Sequence, residues 1–189
     1  MHVVIIAYDG FTDVDLFMPW DLLFRVTDEG YANYQQSWRV SICADEKRVT
    51  SYSGLTIDTH GPLEWARDAD AVFIVSGPGS RIKIADQAFL EALQIDPARQ
   101  FIAAIDSGVL ILAKLGLLDG LSATTYPSVF GELEAMGVRT ERRPIVIHDR
   151  IATGGGCLST QDLAVWLVSN LIGEQYGSAI LDSVQKVEA

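Results

Sequence analysis

Two aspartates stand where a catalytic acid and base would stand. The apolar run Phe101–Ile105 (FIAAI) passes directly into Asp106-Ser107-Gly108 and then into a helical stretch, with no connecting loop. That places Asp106 at an elbow, its side chain projected outward and the N–H groups of a helix start just behind it, where an ionised carboxylate is favoured. The same residue could serve only as a helix cap, with Ser107 assisting. Asp15 follows the turn after the first apolar run and has the same two readings; Asp13 is its alternate, expected to face solvent. Two carboxylates sharing a pocket push their pKa values apart and supply one acid and one base. Gly77-Pro78-Gly79-Ser80 offers N–H groups for an anion or oxyanion, or is an ordinary strand-to-helix turn. Cys157, after Gly154-Gly155-Gly156, either lines the same pocket or is a small buried hydrophobe.

Competing motifs fall away. Asp106-Ser107-Gly108 matches the aspartic-protease triplet, but those enzymes are all-β. Ile105 and Val109 stand where a Gly-x-Ser-x-Gly nucleophile elbow needs glycine. His2, His60 and His148 lie outside the strand-end loops, so neither a triad nor a metal cluster is expected.

The elements that must hold these residues alternate along the chain. Val3–Tyr8, Trp38–Ala44, Ala71–Val75 and Phe101–Ile105 read as strands, with Leu55–Thr59 an edge or hairpin strand. Asp15–Val26, with Pro19 in its first turn, Gln87–Arg99, Ser107–Leu115, Val129–Met136 and about 159–172 read as helices, followed by a capping helix to about residue 185. Ala123–Tyr126, Pro144–Ile147 and Arg150–Thr153 are further strands. Val/Ile runs without period-two alternation mean a mostly parallel sheet buried on both faces: one α/β domain over 1–189, a three-layer sandwich. Ligands then bind beyond the carboxyl ends of the strands.

The 189 residues are 49% hydrophobic and carry 14 basic against 25 acidic side chains, a formal charge of −11. The only basic clusters are Lys47–Arg48 and Arg139, Arg142 and Arg143, too short for a nucleic-acid footprint; neither nucleic acid nor a membrane surface is an expected partner. The opening residues read as a strand, not a secretory leader, and Cys43 and Cys157 need no disulfide, so a cytoplasmic protein is expected.

Together, Tyr8-Asp9-Gly10-Phe11 with Val14-Asp15-Leu16 and Pro19, Gly77-Pro78-Gly79, Ser107-Gly108, Leu115–Gly120, Ala123-Thr124-Thr125, and Thr153–Gly156 with Asp162 resemble the ThiJ/PfpI superfamily, flavodoxin-like domains related to glutamine amidotransferases. The likeness covers nearly the whole chain and is nearest the isonitrile hydratase branch. It implies that Asp15 bonds the nucleophile and shuttles protons, and that the N–H groups of Gly77 and Ser107 stabilise an oxyanion. Asp106 stands in the place of the nucleophilic cysteine, and Tyr126 where many members carry histidine. Three accounts fit that departure: a working Asp15–Asp106 pair, a member that binds ligand without turnover, or an engineered Cys-to-Asp change. The resemblance implies a small-molecule hydratase or hydrolase, with Gly79, Tyr126, Gly155 and Cys157 lining the pocket. It also implies a homodimer whose partner closes the site. No cofactor is expected, because no phosphate-loop lysine or dinucleotide fingerprint is present.

Overall fold

The structure, a computed structural model, describes residues 1–184. Strand β1 (His2–Ile6) leads to α1 (Asp13–Phe24), then β2 (Arg39–Ala44), the hairpin β3 (Arg48–Thr50) and β4 (Thr56–Asp58), and β5 (Gly61–Pro62). After β6 (Ala71–Ile74) come α2 (Ser80–Lys83), α3 (Gln87–Ala92), β7 (Phe101–Ile105) and α4 (Val109–Lys114). The rest is β8 (Ser122–Ala123), α5 (Phe130–Ala135), β9 (Arg139–Thr140), β10 (Ile145–His148), β11 (Ile151–Gly154), α6 (Thr160–Ile172) and α7 (Glu174–Asp182).

Seven strands form one sheet in the order β10-β11-β7-β6-β1-β2-β5, parallel except for the β10–β11 pair. Val3–Ile6, Ala71–Ile74 and Ile102–Ile105 are wholly shielded from solvent, as expected of runs covered on both faces. Helices α1, α6 and α7 pack together as one layer, and α2, α4 and α5 as the other. This is the flavodoxin-like α/β sandwich.

Several expected boundaries move. Helix α1 starts at Asp13, so Pro19 lies in its interior and deprives the Asp15 carbonyl of its intrahelical donor. The helix expected over Gln87–Arg99 stops at Ala92: Asp96 precedes Pro97, which disfavours helical backbone there, and Gln100 instead accepts the Asp96 N–H and donates to Ala66 O and Ala69 O. The strand expected over Ala123–Tyr126 shrinks to β8, paired with β9. The strand β3, partner of β4, carries no sequence signal of its own; three residues are too few to show a period.

Register decides where the site falls. Ile6 pairs with Ile74, Ile74 with Ala104, and Ile105 with Gly154, so β1, β6, β7 and β11 end at one level. The chain leaves β1 toward β2 on one side and returns to β6 on the other, so the topological switch lies between β1 and β6. The first turn of α1 and the segments that follow β6 and β7 carry Asp15, Ser76-Gly77 and Asp106 to that opening.

Candidate active site

Asp106 begins the tight turn between β7 and α4 at φ 48°, left-handed backbone that costs most side chains energy and is best tolerated by Gly, Asn and Asp. It makes no side-chain cap bond at the helix start, which removes the cap reading. The turn is held from both sides. Thr125 Oγ1 donates to the Asp106 carbonyl at 2.8 Å, and Gly108 lies so close to β6 that a Cβ would sit 2.4 Å from the Val75 carbonyl.

Asp15 is fully buried in the first turn of α1, where Thr12 is the N-cap, so it is not a cap either. Its carboxylate accepts bonds from Ser76 Oγ, from Cys157 Sγ at 3.5 Å and from Thr160 Oγ1 at 3.4 Å. Burial pushes its pKa up; the three donors pull it back only in part. Burial, and then the Asp15 charge, push Asp106 up to about 6, while the Ser107 N–H and the Arg81 guanidinium draw it down. Burial and the two carboxylates hold the Cys157 thiol at about 12, so it stays protonated and is a donor rather than a nucleophile.

Polar atoms of Asp15, Asp106 and Cys157 all lie within 4.8 Å of one another. No hydrogen bond joins the two carboxylates, so the direct Asp15 bond implied by the resemblance is absent here. Among the described residues these three are the set close enough to share a cation, although Asp15 already accepts three bonds and the Cys157 proton would have to leave.

Of the expected oxyanion pair, Gly77 has its N–H engaged. The Gly77 N–H donates to Ser107 Oγ at 3.1 Å, and the Ser107 hydroxyl donates back to the Gly77 carbonyl at 3.1 Å. Each satisfies the other, so Gly77 does not present a free N–H. Its φ of 139° and the Gly10 carbonyl, 2.1 Å from where a Cβ would be, explain why glycine stands there.

The cleft over Asp106, about 160 Å³, is lined by Thr12, Gly77, Arg81, Ser107, Tyr126 and Ser128, among others. Tyr126 is thus brought to the site, but Gly79 is not. A Cβ on Gly79 would meet the Asp9 carbonyl at 1.9 Å, and its N–H bonds Gly10 O, so it seats the Asp9-Gly10 turn. Gly155 lines a neighbouring cavity. Asp13 lies outside the cluster, its carboxylate pulled down by hydrogen bonds from Ser53 and Ser51. The histidines are elsewhere: His60 stacks on Trp20, His2 bonds Ser41, and His148 bonds Ser122. Ser76, Thr160 and Arg81 join the site without a sequence signal, since a Ser, a Thr or an Arg in a loop or helix has no spacing that announces a carboxylate partner.

The sequence profile described as the DJ-1/PfpI family matches residues 1–170 of this chain. The chain belongs to the DJ-1/PfpI family. It is 24% identical to the isonitrile hydratase of Pseudomonas putida over 174 residues, 92% of this chain and 73% of that protein. Deglycase PH1704 of Pyrococcus horikoshii is 25% identical over 171 residues, 88% of this chain and 95% of its own length. A crystal structure of a ThiJ/PfpI family protein from Pseudomonas syringae superposes with a TM-score of 0.85 at 25% identity, over 100% of this chain and 76% of that one. The DJ-1/PfpI fold therefore frames the aspartate pair, and among the described residues no helix is long and apolar enough to cross a membrane.

Proposed function

We propose that this DJ-1/PfpI member adds water to the carbon of a carbon–nitrogen multiple bond of a small molecule, in the manner of an isonitrile hydratase, with Asp15 and Asp106 in place of thiol chemistry. The convergence of the two carboxylates at the strand ends, both pushed up by burial, carries the reading. Their oxygens lie within 4.8 Å of each other, close enough for a proton to pass between them directly or through one water.

The reaction is R–NC + H2O → R–NH–CHO. An isonitrile's terminal carbon holds a lone pair and accepts a proton first. The pair holds one proton between its two carboxylates; in the form with that proton on Asp15, the deeper group, Asp15 donates it and the carbon becomes electrophilic. Asp106, at the cleft, takes a proton from water as the oxygen attacks that carbon; the resulting imidic acid moves its O–H proton to nitrogen and becomes the formamide. Asp15 ends ionised and Asp106 protonated, and proton exchange between them restores the pair. Charge at carbon runs positive in this sequence, so the Gly77 N–H, already engaged by Ser107, is not called upon.

The test is turnover of an aryl isonitrile to its N-formamide. The parent should be active, and Asp106→Asn should lose roughly 10²–10⁴-fold. Full activity in Asp106→Asn would end this reading, and activity only in Asp106→Cys would mean a hydratase scaffold lacking its nucleophile. A second reading, a ligand-binding member without turnover, is favoured by Tyr126 and Asp106 standing where the resemblance places histidine and cysteine; it predicts saturable binding with no product.

We place the protein in the cytoplasm, a reading supported by two free cysteines. We also propose a homodimer that closes the site, supported by the exposed Tyr52, Leu55 and Val14 around the β3–β4 hairpin, whose Tyr52 N–H bonds the Phe11 carbonyl in the loop before α1.

A further inference from the structure

The segment from Thr125 to Phe130 divides two cavities. Tyr126, Ser128 and Val129 face the Asp106 cleft; Thr125, Pro127 and Phe130 face a second cavity of about 280 Å³. That second cavity has an unusual charge for this molecule. The chain carries a net charge of −11, yet the rim here is Arg142 and Arg143, from the one arginine cluster in the sequence.

The two arginines are not equivalent. Arg143 is paired with Glu141, which also accepts from Ser122. Arg142 is exposed and has no ion-pair partner among the described residues; its guanidinium lies 4.9 Å from the centre of the Phe130 ring. Stacking on an aromatic face orients the planar fork while leaving its N–H groups free for an incoming carboxylate. Phe130, Pro127 and Pro144 supply apolar lining, and Gly155 and Gly156 supply a wall without side chains. A Cβ on Gly155 would lie 2.9 Å from the Arg143 carbonyl and 3.0 Å from Thr124 Oγ1, so the chain packs this closely here only with glycine.

From this arrangement we propose that the cavity beside Arg142 binds a small aromatic carboxylate, its ring against Phe130 and the prolines and its carboxylate on the Arg142 guanidinium. The site is separate from the Asp15–Asp106 chemistry and does not depend on it. Thr125, which lines the cavity, also holds the Asp106 carbonyl, so a bound ligand sits one side chain from the catalytic turn.

Calorimetric or NMR titration of the full chain with benzoate, at low salt, tests this. Benzoate should saturate a single site and bind more tightly than neutral benzamide. Arg142→Gln should weaken benzoate by roughly tenfold or more, as expected for loss of a charge-assisted bidentate bond. Arg139→Gln makes the same change in net charge outside the cavity and should leave benzoate binding intact. Arg142 is on the surface, and an unchanged melting temperature verifies that its variant folds. Equal binding of benzoate and benzamide, equal losses in the two arginine variants, or no saturable binding would each overturn the proposal, whether or not any isonitrile is turned over.

Discussion

At the candidate site, burial sets how readily single side chains ionise. In the unfolded chain Asp106 titrates near 3.8, and in the folded protein burial and the nearby Asp15 raise it to about 6. The folded state therefore holds the Asp106 proton more tightly. The stabilisation that follows is complete below pH 3.8 and is lost as pH rises through about 6. Asp106→Asn removes that penalty, and Asn tolerates left-handed backbone. The variant should match the parent near pH 4 and exceed it at pH 8 by about 2 kcal/mol, a value discounted for partial exposure, visible as a higher melting temperature. Equal melting temperatures at pH 8 would mean that the Asp106 carboxylate is not desolvated. Ser76→Ala works on the other carboxylate: it removes a donor that favours ionised Asp15, so the Asp15 pKa rises further. The carboxyl-carbon shift of Asp15, followed by NMR against pH, reports this directly.

The elements around the site are held by backbone contacts that leave no room for a methyl group. Gly108 lets α4 start against β6, and the Val75 carbonyl lies 2.4 Å from its missing Cβ. Gly108→Ala must push the elbow off the sheet. A loss of roughly 2–4 kcal/mol is expected, measured by urea unfolding, and the proposed isonitrile hydration should fall with it, because Asp106 moves with the turn. Wild-type stability in that variant would show the elbow to be looser than the packing implies. By contrast, Gly137 has no atom within 4 Å of a Cβ and owes its glycine only to a φ of 86°, so Gly137→Asn should cost little.

For the whole molecule, the switch between β1 and β6 gathers residues 15, 76, 106 and 157 from four separate loops or helices. Sedimentation should return twice the chain mass if Tyr52, Leu55 and Val14 meet a second copy, and Leu55→Glu should shift the protein toward monomer. A parent that sediments at the chain mass would remove the dimer.

Much of this architecture is legible in the amino-acid sequence. Unbroken Val/Ile runs in β1, β6 and β7 require cover on both faces, and that requirement alone yields a parallel α/β sheet with its site at the strand ends. The abrupt passage from Phe101–Ile105 into Asp106 marks the elbow, because a strand that meets a helix with no loop leaves one residue to make the turn. The charge balance disfavours nucleic acid. Pairing across distance is what only the tertiary structure decides. Ser76, Cys157 and Thr160 converge on Asp15 from 61, 142 and 145 residues away, and no local pattern encodes such partners. The same holds for Gly77: its glycine is explained by the approach of Gly10, and its N–H belongs to Ser107, 30 residues on. Periodicity reports which face of an element is buried, but hydrogen-bond partners and desolvation depend on which loops meet, and that is decided only when the sheet assembles.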